Sequence, residues 1–471
     1  MNCVDLFVQQ AKRKPNTVAL WSPDGTRMTF EELLAMAGRT QRALRDAGVK
    51  PGSSVLVVEL PGPRLYAIVL AVFAMGATVI AVEPWLPVGE VDRVIRFMRP
   101  TLFIGGALGM AWGARVPAVR AISRWKASSR VLSARGAPLS IEDTSPETPA
   151  LVAFTSGTTG QPKGVVRPQG YLIHQHDIYT RSLGLTHHEG PDLCIFANFV
   201  LANLASGRPS LLVSPRWSFK QLRAIDDLPD ELQPRTLSCG PAFLAQILRN
   251  ARLDKLASVH VGGALSDVSL WENAFDKWPD THFLHVYGSS EAEPVAVLDA
   301  RKAVAVSRAR GFHQVLCVGK PVDAIRSRLE PNSLWVTGPH VCRWYVGNDR
   351  ENLVHKRVDE HGNVWHDMGD RIEVRDDLWW YAGRASQPAE DFSWEQSVYH
   401  ELGHSRAFIH RTNPGSVYLV GEGLRQNAER IKQQYRGIDR LICCPIYRDR
   451  RHRARIDRRT TLRKGAPWLP G

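Results

Sequence analysis

Residues 151–170 read LVAFTSGTTGQPKGVVRPQG, and the chemistry of the chain is concentrated there. Thr155-Ser156-Gly157-Thr158-Thr159-Gly160 is followed by Pro162-Lys163-Gly164. Hydroxyls donate hydrogen bonds, glycines let backbone N–H groups close in on a ligand, and Lys163 supplies a point charge. The combination suits a loop that wraps phosphate oxygens. It differs from the Walker A loop, which ends in Gly-Lys-Ser/Thr; here Lys163 stands between Pro162 and Gly164.

Four further strings follow in order. Gly262-Gly263-Ala264 ends an apolar run and reads as a tight turn that favours positive φ. Tyr287-Gly288-Ser289-Ser290-Glu291 follows a strand pattern; its carboxylate suits Mg²⁺, a hard cation that takes oxygen ligands, and Tyr287 can stack on a purine. Trp365-His366-Asp367-Met368-Gly369-Asp370 and Tyr381-Ala382-Gly383-Arg384 complete the set. Taken alone, each is an ordinary turn or a surface ion pair. Their order and spacing after the Thr155–Gly164 string argue for one site.

The elements that must hold these strings read as alternating helix and strand. Residues 30–48 carry apolar residues at helical spacing and end at Gly48, and 54–60 follow as a strand. Residues 65–82 (LYAIVLAVFAMGATVIAV) are long enough to suggest a membrane span, but Gly76 interrupts them. They read as a buried helix ending near Gly76 and a buried strand ending at Glu83-Pro84. Residues 122–149 are polar and turn-rich, a surface connection. An apolar helix then a strand are expected over 193–214, strand–turn–helix over 235–250, and strands with glycine turns over 258–265 and 281–298. From about 315 the pattern is short strands as far as 378–384, and beyond Arg384 it is polar and irregular. The fold class is α/β with largely parallel sheets: a large multi-subdomain N-terminal domain over 1–383 and a small, shortened α+β domain over 384–471.

Composition narrows the rest. A chain of 471 residues is too long for one core. The net charge is +13, much of the surplus lying between Arg440 and Lys464, but no nucleic-acid motif accompanies it. Seven cysteines without CxxC spacing indicate neither a disulfide framework nor a zinc site, which fits a reducing cytoplasm. The first ten residues lack the charged-then-apolar pattern expected of a signal peptide.

The Thr155–Gly164 string resembles the phosphate loop of the adenylate-forming superfamily, which includes acyl-CoA ligases, peptide-synthetase adenylation domains and firefly-type luciferases. The resemblance implies ATP, Mg²⁺ and a carboxylic acid activated as acyl-adenylate. It implies that Thr155, Ser156, Gly157, Thr158, Thr159, Gly160 and Lys163 bind phosphates and that Glu291 holds Mg²⁺. By the same resemblance Gly262, Gly263, Ala264, Tyr287 and Gly288 line the adenine pocket, and Asp370 and Arg384 reach the ribose or phosphates. Ser290 and Met368 stand where threonine is usual. Within the superfamily, Glu291-Ala292-Glu293-Pro294-Val295, Cys317-Val318-Gly319-Lys320-Pro321 and the strings around Asp370, Arg384 and 449–458 look like those of the olefin-biosynthesis β-lactone synthetases. That branch activates a 3-hydroxy fatty acid, and the acid's own 3-hydroxyl then expels AMP. Residues 196–207 (FANFVLANLASG) look like its substrate helix, so Phe196, Phe199 and Leu201 are candidates for an apolar acyl pocket, or for ordinary core.

Two features depart from the branch. Its catalytic lysine, in Arg-His-Asn-Ala-Lys-Ile, is replaced here by Arg455 in Arg451-His452-Arg453-Ala454-Arg455-Ile456. Arginine keeps the charge and binds phosphate bidentately, so an electrostatic role is retained. The lid is short, and Ala385-Ser386-Gln387-Pro388 replaces the usual hinge. A trimmed lid disfavours a thioester half-reaction and suits a lactone former. An acyl-CoA or acyl-AMP ligase passing its product to CoA, a carrier protein or an amine remains an alternative, as does a catalytically weakened nucleotide-binding relative. Pathway enzymes are candidate partners.

Overall fold

A computed structural model describes the chain except residues 23, 84–85, 127–137, 156–161, 214–217, 413–414, 449–454 and 469–471, and gives only the backbone of residue 155. Two large sheets carry most of it. The seven-stranded sheet runs in the order Tyr345–Val346, Lys163–Pro168, Pro149–Thr155, Thr78–Val82, Ser54–Val58, Leu102–Gly105, Arg124–Lys126. Its last five strands are parallel, and the first three are antiparallel to one another. The eleven-stranded sheet is parallel through Val18–Trp21, Ser210–Leu212, Asp192–Cys194, Thr236–Cys239, Ser258–Gly262 and His282–Ser289. It turns antiparallel at Ala292–Asp299 and stays so through Cys317–Pro321, Leu378–Arg384 and Asp370–Arg375.

Between the sheets lies Pro63–Ala74, a helix whose residues from Tyr66 to Ala74 are all buried. Its apolar cluster includes Val55 and Val79 from one sheet and Leu20, Cys194 and Val286 from the other. A helix enclosed on all sides must be apolar all round, which is why 65–82 mimics a membrane span. The helix ends at Ala74, and Thr78–Val82 follows as a buried strand. Among the described residues no helix is long and apolar enough to cross a membrane. Packed against Pro63–Ala74 is Phe30–Asp46, whose start is fixed by a capping box: Thr29 accepts from the Glu32 amide, and Glu32 accepts from the Thr29 amide.

The structure corrects several expectations. Residues 281–298 are two antiparallel strands, His282–Ser289 and Ala292–Asp299, joined at Ser290-Glu291. Residues 193–214 contain a strand, Asp192–Cys194, before the helix Ala197–Ser206. The region after Arg384, polar and irregular in its sequence pattern, has the expected α+β make-up: Ala389–Leu402 is helical and packs on a separate three-stranded sheet, Ala407–Arg411, Val417–Gly421 and Arg440–Cys443. From that helix Trp394, Val398, Tyr399 and Leu402 pack into an apolar cluster, but the same inward face also buries Asp391, Glu395 and Gln396, and these polar residues interrupt the apolar pattern in the sequence.

Candidate active site

The strand pair Pro149–Thr155 and Lys163–Pro168 brings Lys163 opposite Thr155 in register. Residues 156–160 of the glycine-rich string, and the Thr155 side chain, lie outside the described residues. Lys163 Nζ is 2.9 Å from Glu291 Oε1 and 3.5 Å from Glu351 Oε2. It also sits 3.0 Å from the Tyr345 hydroxyl, which donates to Glu291 Oε1 at 2.9 Å. Burial raises the Glu291 carboxyl, but the Lys163 charge and hydrogen bond, with Lys356 beyond, outweigh it and hold Glu291 well below the usual carboxylate range. His366, buried beside these cations, is pushed down to about 3 by burial first and Lys356 second, and so stays neutral at physiological pH. Tyr345, Glu351 and Lys356 were not singled out in the sequence. For Glu351 and Lys356 the one legible trace is the largely polar stretch 348–356; the register of Tyr345 with Val165 brings this segment to Lys163.

A second charged pair lies nearby. Asp370 and Arg384 are register partners in the hairpin of Asp370–Arg375 and Leu378–Arg384. Arg384 Nη1 stands 2.7 Å from Asp370 Oδ1, and Tyr287 donates to Asp370 Oδ2 at 2.7 Å. Burial pushes the Asp370 carboxyl up against the pull of Arg384 and Tyr287. The Arg384 contact is an ion pair without hydrogen-bond alignment, so Oδ1 is a buried acceptor with no aligned donor. Such an atom costs stability unless a ligand supplies the hydrogen bond, and a ribose hydroxyl is of the right chemistry.

The glycine turn has a backbone reason. A Cβ on Gly262 would lie 2.7 Å from the Val286 carbonyl, and Gly263 has φ +86°. The Gly263 carbonyl accepts from Arg455, through Nε at 3.1 Å and Nη2 at 2.7 Å. Arg455 is thereby brought 192 residues across the chain to the mouth of the same cavity as Asp370, Tyr287, Gly288 and Ala264.

That cavity, about 2940 Å³, runs from these charged groups into an apolar chamber. Leu65, Tyr66, Val69 and Phe73 of the central helix line the chamber, with Phe196 and Leu201 opposite. Phe199, expected on this wall, is instead buried behind it. Its ring stacks on Tyr179 at 4.7 Å. In the helix Ala197–Ser206 only part of the circumference can face the chamber, and Phe199 falls on the core side. For Mg²⁺ bound beside phosphates, one or two carboxylates suffice; Glu291, ionised and facing the cavity, fits that need.

Two sheets thus enclose a buried helix, and ion pairs and apolar walls share one cavity. The AMP-binding enzyme family model matches residues 7–346, and the chain belongs to that family. The fold is shared with O-succinylbenzoate coenzyme A synthetase (MenE) from Bacillus subtilis, solved with ATP and a magnesium ion. The TM-score is 0.77 over 95% of this chain and 98% of that one, at 17% identity. In sequence the chain is 24% identical over 437 residues to an olefin beta-lactone synthetase of Xanthomonas campestris pv. campestris, covering 81% of this chain and 78% of that protein. It is 26% identical over 404 residues to the hybrid PKS-NRPS synthetase TAS1 of Pyricularia oryzae, of which it spans only 22%.

Proposed function

We propose that this protein uses ATP to activate a 3-hydroxy acid with an apolar chain and then closes it to a β-lactone. One observation carries the reading: the charged groups and the apolar chamber are parts of a single cavity. An acid whose tail lies among Leu65, Val69, Phe73 and Leu201 can present its carboxylate beside Lys163 and Glu291. ATP is a substrate; residues 155–160 and Lys163 take its phosphates, Asp370 and Arg384 its ribose, and Gly262–Ala264, Tyr287 and Gly288 its base. Mg²⁺ held by Glu291 would neutralise phosphate charge. Lys163 must then exchange Glu291 for a phosphate oxygen, which its flexible stem allows. Arg455 provides the second cation, acting on developing charge and not as an acid or base. The region 384–471 serves as the lid.

The lactone step is favoured by the β-lactone synthetase relatives and by a tethered nucleophile, which needs no second substrate. Transfer to CoA, a carrier or an amine is the competing outcome, and the CoA-synthetase fold neighbour keeps it in view. Pyrophosphate release with ATP and Mg²⁺ over paired 3-hydroxy and 3-deoxy acids, with product masses, tests both. Lactone masses from the hydroxy acids alone support the reading. A thioester that forms only when CoA is added, from either acid of a pair, replaces it with the ligase reading.

A further inference from the structure

The chamber is not wholly apolar. Glu293, the second residue of the strand Ala292–Asp299, faces it together with Asn198, Gln175 and Arg167. Asn198 donates to Glu293 Oε2 at 3.0 Å and lies 2.6 Å from the Tyr179 hydroxyl. Tyr179 is fully buried and stacked on Phe199. Gln175 fixes the Glu293 backbone by donating to its carbonyl at 3.0 Å. The guanidinium of Arg167, buried and anchored on the Ser290 carbonyl at 2.8 Å, acts electrostatically on Glu293 and offsets the cost of a carboxylate in this setting. Three elements therefore cooperate to hold one carboxylate against an otherwise greasy wall. Packing does not require that, since an apolar residue would fill the same place.

Its position is informative. Glu293 follows Glu291 by two residues, and its contact with Asn198 ties it to the helix that carries Leu201, so it stands between the Lys163–Glu291 pair and the apolar wall. An acid activated beside Lys163 and Glu291, with its tail among the apolar side chains, places its first few carbons there. A carboxylate accepts several hydrogen bonds and donates none when ionised, so what it recognises is a hydrogen-bond donor on those carbons.

Resting on the lactone reading above, we propose that Glu293, oriented by Asn198, accepts the hydrogen bond of the substrate's 3-hydroxyl and takes its proton during ring closure. The hydroxyl oxygen forms a bond to C1 of the acyl-adenylate. The C1–O bond to phosphate breaks, its electron pair leaves with AMP, and the hydroxyl proton moves to the Glu293 carboxylate and thence to water. No further reactant is needed.

The full chain with ATP, Mg²⁺ and 3-hydroxydecanoate, decanoate or 3-aminodecanoate provides the test, with acyl-adenylate and lactone quantified in a single turnover. General-base catalysis contributes roughly 10²–10⁴-fold, so Glu293→Gln is expected to lower lactone formed per acyl-adenylate by about 100-fold, and acyl-adenylate accumulates. Glu293→Asp recovers part of that ratio. The proposal is overturned if Glu293→Gln closes the ring at the wild-type ratio. It is equally overturned if the variant merely slows adenylation of the hydroxy and deoxy acids alike, the signature of a structural role. Preference of the wild type for 3-aminodecanoate reassigns Glu293 to an ammonium group. If the wild type makes acyl-adenylate but no lactone from any 3-hydroxy acid, the reading it rests on fails first, and that result needs no Glu293 variant.

Discussion

The two ends of the cavity are built on different physics. At the nucleotide end Lys163 is tied to Glu291 and Arg384 to Asp370, at 2.9 and 2.7 Å. At the acyl end, Leu65, Val69, Phe73 and Leu201 present apolar surface, broken by one oriented carboxylate. A ligand at the charged end must exchange partners with ions that have already settled together, so net affinity is a difference between large terms. A ligand at the apolar end gains about 25 cal/mol for each Å² it removes from water, with nothing to displace but solvent. Recognition of the nucleotide should therefore depend on a few side chains steeply. Recognition of the chain should be spread thinly over many.

The largest expected effect follows from breaking a pair at the charged end. Glu291→Ala leaves the largely enclosed Lys163 with only the more distant Glu351 as counter-charge. Removing one member of a buried pair costs about 3 kcal/mol or more, and pyrophosphate release should be lost outright. Urea unfolding of the ligand-free protein measures the first. In the double variant Lys163→Met/Glu291→Leu much of the stability returns while activity stays absent. An unchanged unfolding midpoint for Glu291→Ala would show that the pair is not held as tightly as its geometry indicates.

Next in size is the exposed cation. Arg455→Ala should slow pyrophosphate release by about 100-fold, the scale of removing one preorganised donor from a developing charge. Stability should move by less than about 0.5 kcal/mol, as for exposed positions generally. Arg455→Lys separates the two accounts of this residue: a faster rate marks arginine as a compromise, a slower one marks a site shaped around the guanidinium and its Gly263 contact.

The contrast between the ends also explains what the sequence displayed. Chemistry confined to short consecutive strings was legible: Gly263-Ala264, Tyr287 with Glu291, Asp370 and Arg384 all reach one cavity. Chemistry assembled by strand register was not. Tyr345 reaches Lys163 because Tyr345 pairs with Val165, a relation that no local spacing announces. The acyl wall misled in the opposite way. Phe196, Phe199 and Leu201 are equally apolar, and only the rotation of their helix decides that Phe199 packs on Tyr179 instead of facing the chamber. Helix Ala389–Leu402 was hard to read because its inward face mixes the apolar Val398 and Tyr399 with buried carboxylates, Asp391 on Arg411 and Glu395 on Arg458, at 2.6 and 2.7 Å.

The smallest expected effect is a pH response that belongs to the charged end alone. Asp370 is faced by Tyr287 from one strand, by Arg384 from its hairpin partner, by Arg455, and by the like charge of Asp367. Burial nevertheless leaves its carboxyl above the ordinary aspartate value. Between that ordinary value and the raised one, the folded protein holds a proton that the unfolded chain has released. Stability from this group is therefore greatest below the ordinary aspartate value and falls as pH rises through the window. Glu291 has the opposite sign. Its folded carboxyl lies below the ordinary glutamate value, so its contribution is present above that value and is lost on acidification. Melting temperatures of the ligand-free protein from pH 3 to 7 should show Asp370→Asn removing the decline across the window. Leu201→Ala at the apolar end should lower every melting temperature in parallel and leave the slope untouched. A slope altered by Leu201→Ala would mean that the two ends share their electrostatics, and the division of the cavity into a charged and an apolar half would fail.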